Sequence, residues 1–392
     1  MLLHLRALLL SRSPASYRGT ALSIRFFRHT PSTPVVQVFP ESLNQQPRIR
    51  CFSTRSTMTS RYAAAHKDPA GPGDSRPTAG DIVKDEALDG KLSDKVVLIT
   101  GCSSGIGIET ARAIAATGAK IFCTARDLKK GESALADILK PGQVVLIHMD
   151  LNSLESVRSA AKSVLSQTTT LNVLINNAGI MATPTIVKTA DGFESQFGTN
   201  HLAHFLLFEL LKPTLLTSST PEFNSRVINL SSSGHRAGPV QIGNYNFENG
   251  KYSPWPAYGS SKTANIYMAN EIERRYGSKG LHGLSVMPGG IRTGLQGHVP
   301  DAVKASWDVD LEVKNYMKSP AQGAATSVYA ALSKDWEGRG GRYLEDCAES
   351  PPFAPSGGAT AGGYAPHAYD VEPARKLWAD SCKMVGVADD DA

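Results

Sequence analysis

The run Lys95-Val96-Val97-Leu98-Ile99-Thr100-Gly101-Cys102-Ser103-Ser104-Gly105-Ile106-Gly107 constrains this chain more than any other stretch. A short apolar, β-branched segment ends in a turn with glycines at 101, 105 and 107, and a helical pattern of Ile108, Ala111 and Ala115 follows. The pattern is strand, tight turn, helix. In that arrangement the N–H groups of the first helical turn have no partner within the helix and converge on one point. Glycine lets an anion approach them, and the helix dipole favours its negative charge. A phosphate-bearing dinucleotide is the ligand such a turn expects. Close strand–helix packing would also use three glycines, so the rest of the chain has to discriminate.

The chain has 392 residues, 41% of them apolar, enough for a large core in one α/β domain. Its formal charge of +5 is unevenly placed. Residues 1–60 carry eight Arg, no Lys and one Glu, or +7, so the remainder is −2. A near-neutral body argues against nucleic-acid binding, which needs a basic patch. Cys51, Cys102, Cys123, Cys347 and Cys382 match no disulfide framework or metal spacing, which suits a reducing compartment. His201 and His204 lack further ligands at compatible positions, so packing or capping is expected of them and no metal. No apolar run approaches the roughly 20 residues of a membrane helix.

Residues 1–60 are rich in Arg and Ser and nearly free of acids, as in a mitochondrial transit peptide. Arg50-Cys51-Phe52-Ser53 resembles a matrix-protease cleavage site. The alternative is a disordered extension, with translation starting at Met58 and a cytoplasmic product. Residues 61–90, with Pro69, Pro72, Pro77 and Gly71, Gly73, Gly80, read as a flexible arm. A short helix is expected within Asp81–Leu92. Residues 91–392 form the domain proper.

Strand and helix patterns alternate from residue 95. Strands are expected at Val96–Thr100, Lys120–Ala125, Val144–Met149, Val173–Asn176, Arg226–Leu230 and Leu284–Met287, and helices from near Ile106, Leu128, Leu154, Phe193 and Tyr258. Short strands that are apolar on both faces imply a parallel sheet covered by helices on both sides, a doubly wound Rossmann-type fold. Such sheets bind ligands where connections diverge at the carboxyl ends of their strands. Polar residues gather there. The second strand ends at Ala125-Arg126-Asp127; an arginine at that edge favours a ribose 2′-phosphate, hence NADP(H), with NAD(H) still accommodated. Asp127 could equally cap the next helix. The third strand ends at Asp150-Leu151, by the adenine edge, and the fourth at Asn176-Asn177-Ala178-Gly179.

Tyr258 and Lys262 stand four apart, on one face of a helix. A free tyrosine has a pKa of about 10; a neighbouring ammonium and an oxidised nicotinamide would lower it and let the phenol exchange a proton with a carbonyl or alcohol. Val227-Ile228-Asn229-Leu230-Ser231-Ser232 is a buried-type strand ending in hydroxyls, with Ser232 placed to reach a substrate oxygen. Asn200 lies in a helical run, an awkward place for an amide without a task.

These residues together resemble a short-chain dehydrogenase/reductase, from about Lys95 to at least Thr293 and in the family's order. Thr100, Gly101, Ser103, Ser104, Gly105, Ile106 and Gly107 match its Thr-Gly-x-x-x-Gly-Ile-Gly turn. Asn177, Ala178 and Gly179 match its Asn-Asn-Ala-Gly motif, and Pro288, Gly289, Ile291 and Thr293 its Pro-Gly motif beside the nicotinamide. Asn200, Ser232, Tyr258 and Lys262 match the catalytic tetrad. The resemblance implies that Tyr258 is the acid/base, that Lys262 holds the nicotinamide ribose and lowers the tyrosine pKa, that Ser232 polarises the carbonyl and that Asn200 orders a water. Asn200-His201-Leu202-Ala203-His204-Phe205, Ser232-Ser233-Gly234-His235 and Leu377-Trp378 resemble the retinol-dehydrogenase-like and WW-domain-oxidoreductase-like branch, without a WW module. The expected activity is NADP(H)-dependent interconversion of a carbonyl and an alcohol on a small apolar substrate, such as a retinoid, lipid aldehyde, steroid or specialised metabolite. The competing readings are a non-catalytic cofactor-binding regulator and an enzyme of dehydration or epimerisation. Loops at 233–257 and 295–320 are expected to wall the substrate pocket and the tail Pro351–Tyr369 to form a mobile lid. Homo-oligomerisation is left open.

Overall fold

A computed structural model of the protein describes residues 60–358 and 360–390. The transit-peptide and alternative-start readings fall outside the described residues, Ser60 apart.

The β-branched runs form β1 (Val96–Ile99), β2 (Lys120–Ala125), β3 (Val144–His148), β4 (Val173–Asn176), β5 (Ser225–Leu230) and β6 (Leu281–Met287), close to the expected limits. Two further strands, β7 (Arg342–Glu345) and β8 (Ala348–Glu349), were not anticipated, because charged residues at their ends interrupt an already short apolar run. The sheet order is β3-β2-β1-β4-β5-β6-β7-β8. All pairings are parallel except β7 with β8. The doubly wound Rossmann-type fold is therefore present, with one antiparallel edge.

The helices are α1 (Ala63–Lys67), α2 (Ala79–Asp85), α3 (Ile106–Ala116), α4 (Leu128–Ala134), α5 (Leu154–Leu165), α6 (Ala203–Thr217), α7 (Pro254–Tyr276), α8 (Asp301–Val309), α9 (Leu311–Tyr316), α10 (Pro320–Leu332) and α11 (Val371–Val385). Successive strand residues point to opposite faces, and both faces are apolar here. Leu98, Phe122, Leu174 and Val227 pack with Val157, Leu206, Tyr267 and Trp378 on one side. Val97, Ile121, Ile175 and Ile228 pack with Ile82, Ile114 and Val328 on the other. This explains why the strands read as continuous hydrophobic runs. The chain winds outward through β1, β2 and β3, then returns to place β4 beside β1, so connections diverge between the ends of β1 and β4.

Two expectations of mobility are corrected. Residues 61–90 are packed on the body. Thr78 and Asp81 form a reciprocal cap on α2, Ile82 and Val83 are buried, and the Tyr62 ring meets Tyr329 edge-on at 5.9 Å. Arg76 is buried, and its guanidinium donates to the carbonyls of Gly71, Asn315, Tyr316 and Met317 while its Nε donates to Asp74. The prolines and glycines read as flexibility concealed a few well-spaced apolar anchors. The tail Pro351–Tyr369 is also tethered: Phe353 N–H donates to Tyr364 O at 2.8 Å, Arg236 Nη1 to Ala361 O at 2.7 Å, and Tyr267 Oη to His367 O at 2.8 Å.

Candidate active site

The glycine turn joins β1 to α3 and packs on the turn after β4. A Cβ on Gly101 (φ 76°) would lie 2.7 Å from Ala178 Cβ, and one on Gly107 only 2.3 Å from Gly101 O and 2.6 Å from Asn177 Nδ2. Two of the three glycines thus serve close packing of β1 against β4. The third, Gly105 (φ 67°), is the N-cap of α3 and offers no side-chain cap, which leaves the first-turn N–H groups open to an anion.

The Thr100 hydroxyl is engaged within the protein. Its hydroxyl accepts from the N–H groups of Asn177 and Ala178 at 2.9 and 3.0 Å. His204 Nδ1 lies 3.0 Å from Asn200 O, an acceptor, so Nδ1 carries the proton and Nε2 accepts from the Thr100 hydroxyl at 2.9 Å. Burial pushes His204 down to about 4, which keeps it neutral. Thr100 therefore shapes the cradle through three internal bonds. His204 ties it to Asn200, a role that sequence reasoning placed no closer than packing. Asn177 Nδ2 donates to Thr100 O at 2.7 Å, whereas its Oδ1 is buried without a partner among the described residues. An uncapped helix start beside an unsatisfied buried carbonyl oxygen fits a dinucleotide.

The rim residues follow the strand ends. Arg126 is exposed immediately after β2, and Asp127 caps α4 by accepting from Lys130 N–H at 3.1 Å. Asp150 is half-buried; its Oδ1 accepts from Asn152 N–H at 3.0 Å, and Leu151 beside it is buried. After β6, Pro288–Thr293 closes over the glycine turn. A Cβ on Gly105 would lie 3.1 Å from Thr293 Cγ2, and one on Gly294 3.8 Å from Ser104 Oγ. Ile291 is buried and Gly289 takes φ 111°. Gly179 joins this rim to the catalytic group: a Cβ there would lie 3.0 Å from Asn200 Oδ1 and 3.5 Å from Lys262 Nζ.

Asn200, Tyr258 and Lys262 are buried and Ser232 is partly buried. Asn200 sits in a π-helical segment, Gly198–Leu202, that precedes α6, and this resolves its awkward position in a helical run. Its Oδ1 accepts from Ile180 N–H at 2.8 Å, and its Nδ2 donates to Ile180 O at 3.0 Å and Ser261 Oγ at 2.9 Å. Tyr258 and Lys262 lie on α7, with Nζ 5.6 Å from the tyrosine ring centroid. Lys262 Nζ donates to Leu230 O at 3.0 Å, an oxygen also held by Asn265 Nδ2 at 2.9 Å. The two serines separate cleanly. Ser231 Oγ turns to Lys262 O at 2.9 Å, whereas Ser232 stands beside the Tyr258 phenol. Ser232 Oγ accepts from Gly234 N–H at 3.0 Å, which leaves its own hydrogen for donation.

The electrostatics differ from the expected lowering of the Tyr258 pKa. Burial pushes the phenol up to about 12 against the opposing hydrogen bond from Ser232. Burial also brings Lys262 down to about 8. Desolvation penalises both charged forms. The protein's own groups thus leave Tyr258 protonated near neutrality, the form that donates to a carbonyl oxygen.

The wall around Tyr258 is apolar. Met181, Ala182 and Val299 are buried with it, and Trp255, Leu295, Val303 and Trp307 pack against them. Leu295, Val303 and Trp307 belong to the 295–320 segment, and Trp255 lies in the first turn of α7. Met181 and Ala182 escaped sequence reasoning, because nothing in their local pattern marks them as pocket residues. No group of three or more metal-ligating side chains occurs among the described residues, and no described helix is long and apolar enough to cross a membrane.

A cofactor cradle at the β1/β4 divergence, facing a buried tyrosine–lysine pair under an apolar wall, defines a dinucleotide-dependent oxidoreductase. The chain belongs to the short-chain dehydrogenase family, whose profile matches residues 95–304. It is 57% identical over 329 residues to the short-chain dehydrogenase/reductase prx1 of Penicillium roqueforti, covering 84% of this chain and 96% of that one. The oxidoreductase calI of Penicillium decumbens is 44% identical over 83% of this chain and 98% of its own. Human retinol dehydrogenase 12 is 36% identical over 76% of this chain and 88% of its own. Among solved structures, an uncharacterised protein from Mycobacterium paratuberculosis is 33% identical, covers 80% of this chain and 98% of its own, and superposes with a TM-score of 0.59.

Proposed function

We propose that the protein is an NADP(H)-dependent enzyme that reduces an apolar aldehyde or ketone to its alcohol, and runs the reverse reaction when cofactor ratios demand it. The observation that carries this reading is a buried Tyr258 hydroxyl beside the Ser232 hydroxyl, under an apolar wall. Both hydroxyls can donate to one carbonyl oxygen, and Tyr258 delivers its proton as charge develops there. Lys262, fixed by Leu230 O, and Asn200, fixed by Ile180, are both held close to Gly179 to position the ribose and a proton-relay water. NADP(H), when bound along Gly105–Gly107, Asn177–Gly179 and Ile291–Thr293, supplies or accepts the hydride. The substrate class spans retinoids, lipid aldehydes, steroids and specialised metabolites. The retinol dehydrogenase relatives make retinal a first probe, and the apolar wall makes a long aliphatic aldehyde another. NADPH oxidation with decanal, all-trans-retinal and a 3-ketosteroid tests the reading; no turnover with any of them would count against it.

The preference for NADP(H) rests on Arg126 at the exposed end of β2. Arg126→Ala is expected to weaken NADPH about tenfold to a hundredfold, the value of a charge-assisted phosphate contact, and to leave NADH within about twofold. Equal losses for both, measured by cofactor fluorescence titration, would refute the preference. We also propose that residues 1–60 direct the protein to mitochondria, on their Arg-rich, acid-poor composition. Residues 1–60 fused to a fluorescent reporter should be imported and shortened; a diffuse, full-length reporter would reject this.

A further inference from the structure

His235 stands just outside the tetrad, and its surroundings are unusually complete. Its ring Nε2 accepts from the backbone N–H of Ala365 at 2.9 Å. A neutral imidazole has one N–H, so the proton must sit on Nδ1, which donates to Ser232 O at 2.6 Å. The ring is buried, and burial pushes it down to about 3 despite the pull of its bond to Ser232, so it stays neutral. Ser232 O also accepts from His235 N–H at 3.0 Å. The His235 carbonyl is held by His367 Nε2 at 3.0 Å, and the ring packs on Tyr343 at 4.9 Å between centroids. The turn between the two residues has no slack: a Cβ on Gly234 would lie 2.8 Å from Tyr258 Cε1, and one on Gly259 2.5 Å from Gly234 O. A shift of this turn therefore moves Ser232 against Tyr258.

We infer that His235 is a positioning residue for the reaction, locked in its Nδ1–H tautomer by the Ala365 amide so that the tail from Ala361 to Tyr369 sets the placement of Ser232. The inference rests on the reading of Ser232 as a substrate-oxygen donor. The tail is built for this task. Arg236 donates to Ala361 O and stacks on Phe353 at 4.3 Å, Asn270 Nδ2 donates to Ala368 O at 3.0 Å, and Tyr369 Oη accepts from Tyr343 N–H at 3.0 Å. The segment acts as a fixed brace across the turn that carries Ser232.

Ala365→Pro removes the single N–H concerned. Ala365 already has φ −71°, near proline's own value, and Tyr364 is in an extended bridge with Pro352, which suits a residue before proline. With the most active of decanal, retinal and the ketosteroid, Ala365→Pro and His235→Ala are expected to lower kcat about tenfold to a hundredfold, with KM and NADPH affinity within about twofold. His235→Asn places an amide N–H where Nδ1 donates and should recover kcat to within about threefold of the parent. Adding Ala365→Pro to His235→Asn should cost nothing more, because the imidazole acceptor is gone. If melting shows that Ala365→Pro does not fold, the His235→Ala and His235→Asn pair decides. Parent kcat in Ala365→Pro and His235→Ala, alongside an inactive Ser232→Ala, would overturn this proposal alone. An active Ser232→Ala would overturn the role of Ser232 and this proposal with it.

Discussion

Tyr258→Phe is expected to lower kcat for carbonyl reduction by about 10²- to 10⁴-fold while NADPH affinity stays within about twofold. The substitution deletes one oxygen and leaves the ring that packs with Met181, Ala182 and Val299. The fold is not at risk, because the ring packing is kept and only the hydroxyl beside Ser232 is lost. What disappears is the buried Tyr258 O–H packed under the apolar wall. Ser232 can still polarise a carbonyl but cannot deliver a proton as Tyr258 does. Steady-state NADPH oxidation with a cofactor titration measures both quantities. Retention of more than about a tenth of the parent kcat would remove Tyr258 as the acid.

Gly107→Ala should fail differently, at the cofactor. Its Cβ would sit 2.3 Å from Gly101 O, a backbone atom, and 2.6 Å from Asn177 Nδ2. The first is fixed backbone and the second, though a side-chain end, is pinned to Thr100 O, so β1 and β4 must separate or the first turn of α3 must lift. Either movement breaks the 2.7 Å bond from Asn177 to Thr100 O and misaligns the first-turn amides. An overpacking cost of about 2 kcal/mol corresponds to a melting decrease of about 4–8 °C. NADPH affinity should fall by more than about a hundredfold, since every phosphate contact depends on that turn. Gly80→Ala, where the nearest atom to the new Cβ is 3.8 Å away, is the matched control. Parent-like NADPH binding in Gly107→Ala would refute the cradle.

The strands from β1 to β6 could be read from sequence because burial on both faces makes each a continuous run of Val, Ile and Leu. β7 could not, since Arg342 and Glu345 bracket only two apolar residues. Helical spacing puts Tyr258 and Lys262 on one face, and the ordered motifs around them, with Asn200 and Ser232, singled the pair out. The internal bonds of Thr100 were not legible, because its partners His204, Asn177 and Ala178 converge only through the sheet order. The upward push of burial on Tyr258 was not legible, because charge proximity was weighed without desolvation, which acts on Lys262 and Tyr258 alike. The bond from Ala365 to His235 spans 130 positions of chain, and nothing local announces it. Composition misled at 61–90, where turn-forming residues were counted and the anchors Tyr62, Ile82 and Val83 were not.

The burial of Arg76 has a practical consequence for anyone trimming the chain. A protein begun at residue 91 would keep Asn200, Ser232, Tyr258, Lys262 and the whole glycine turn. It would lose the guanidinium that gathers the carbonyls of Asn315, Tyr316 and Met317, just where α9 hands over to α10. That junction follows directly on the α8–α9 stretch, whose Val303 and Trp307 form part of the apolar wall around Tyr258. The minimal recombinant enzyme therefore starts near residue 60, and a shorter version would report a substrate range that belongs to the truncation.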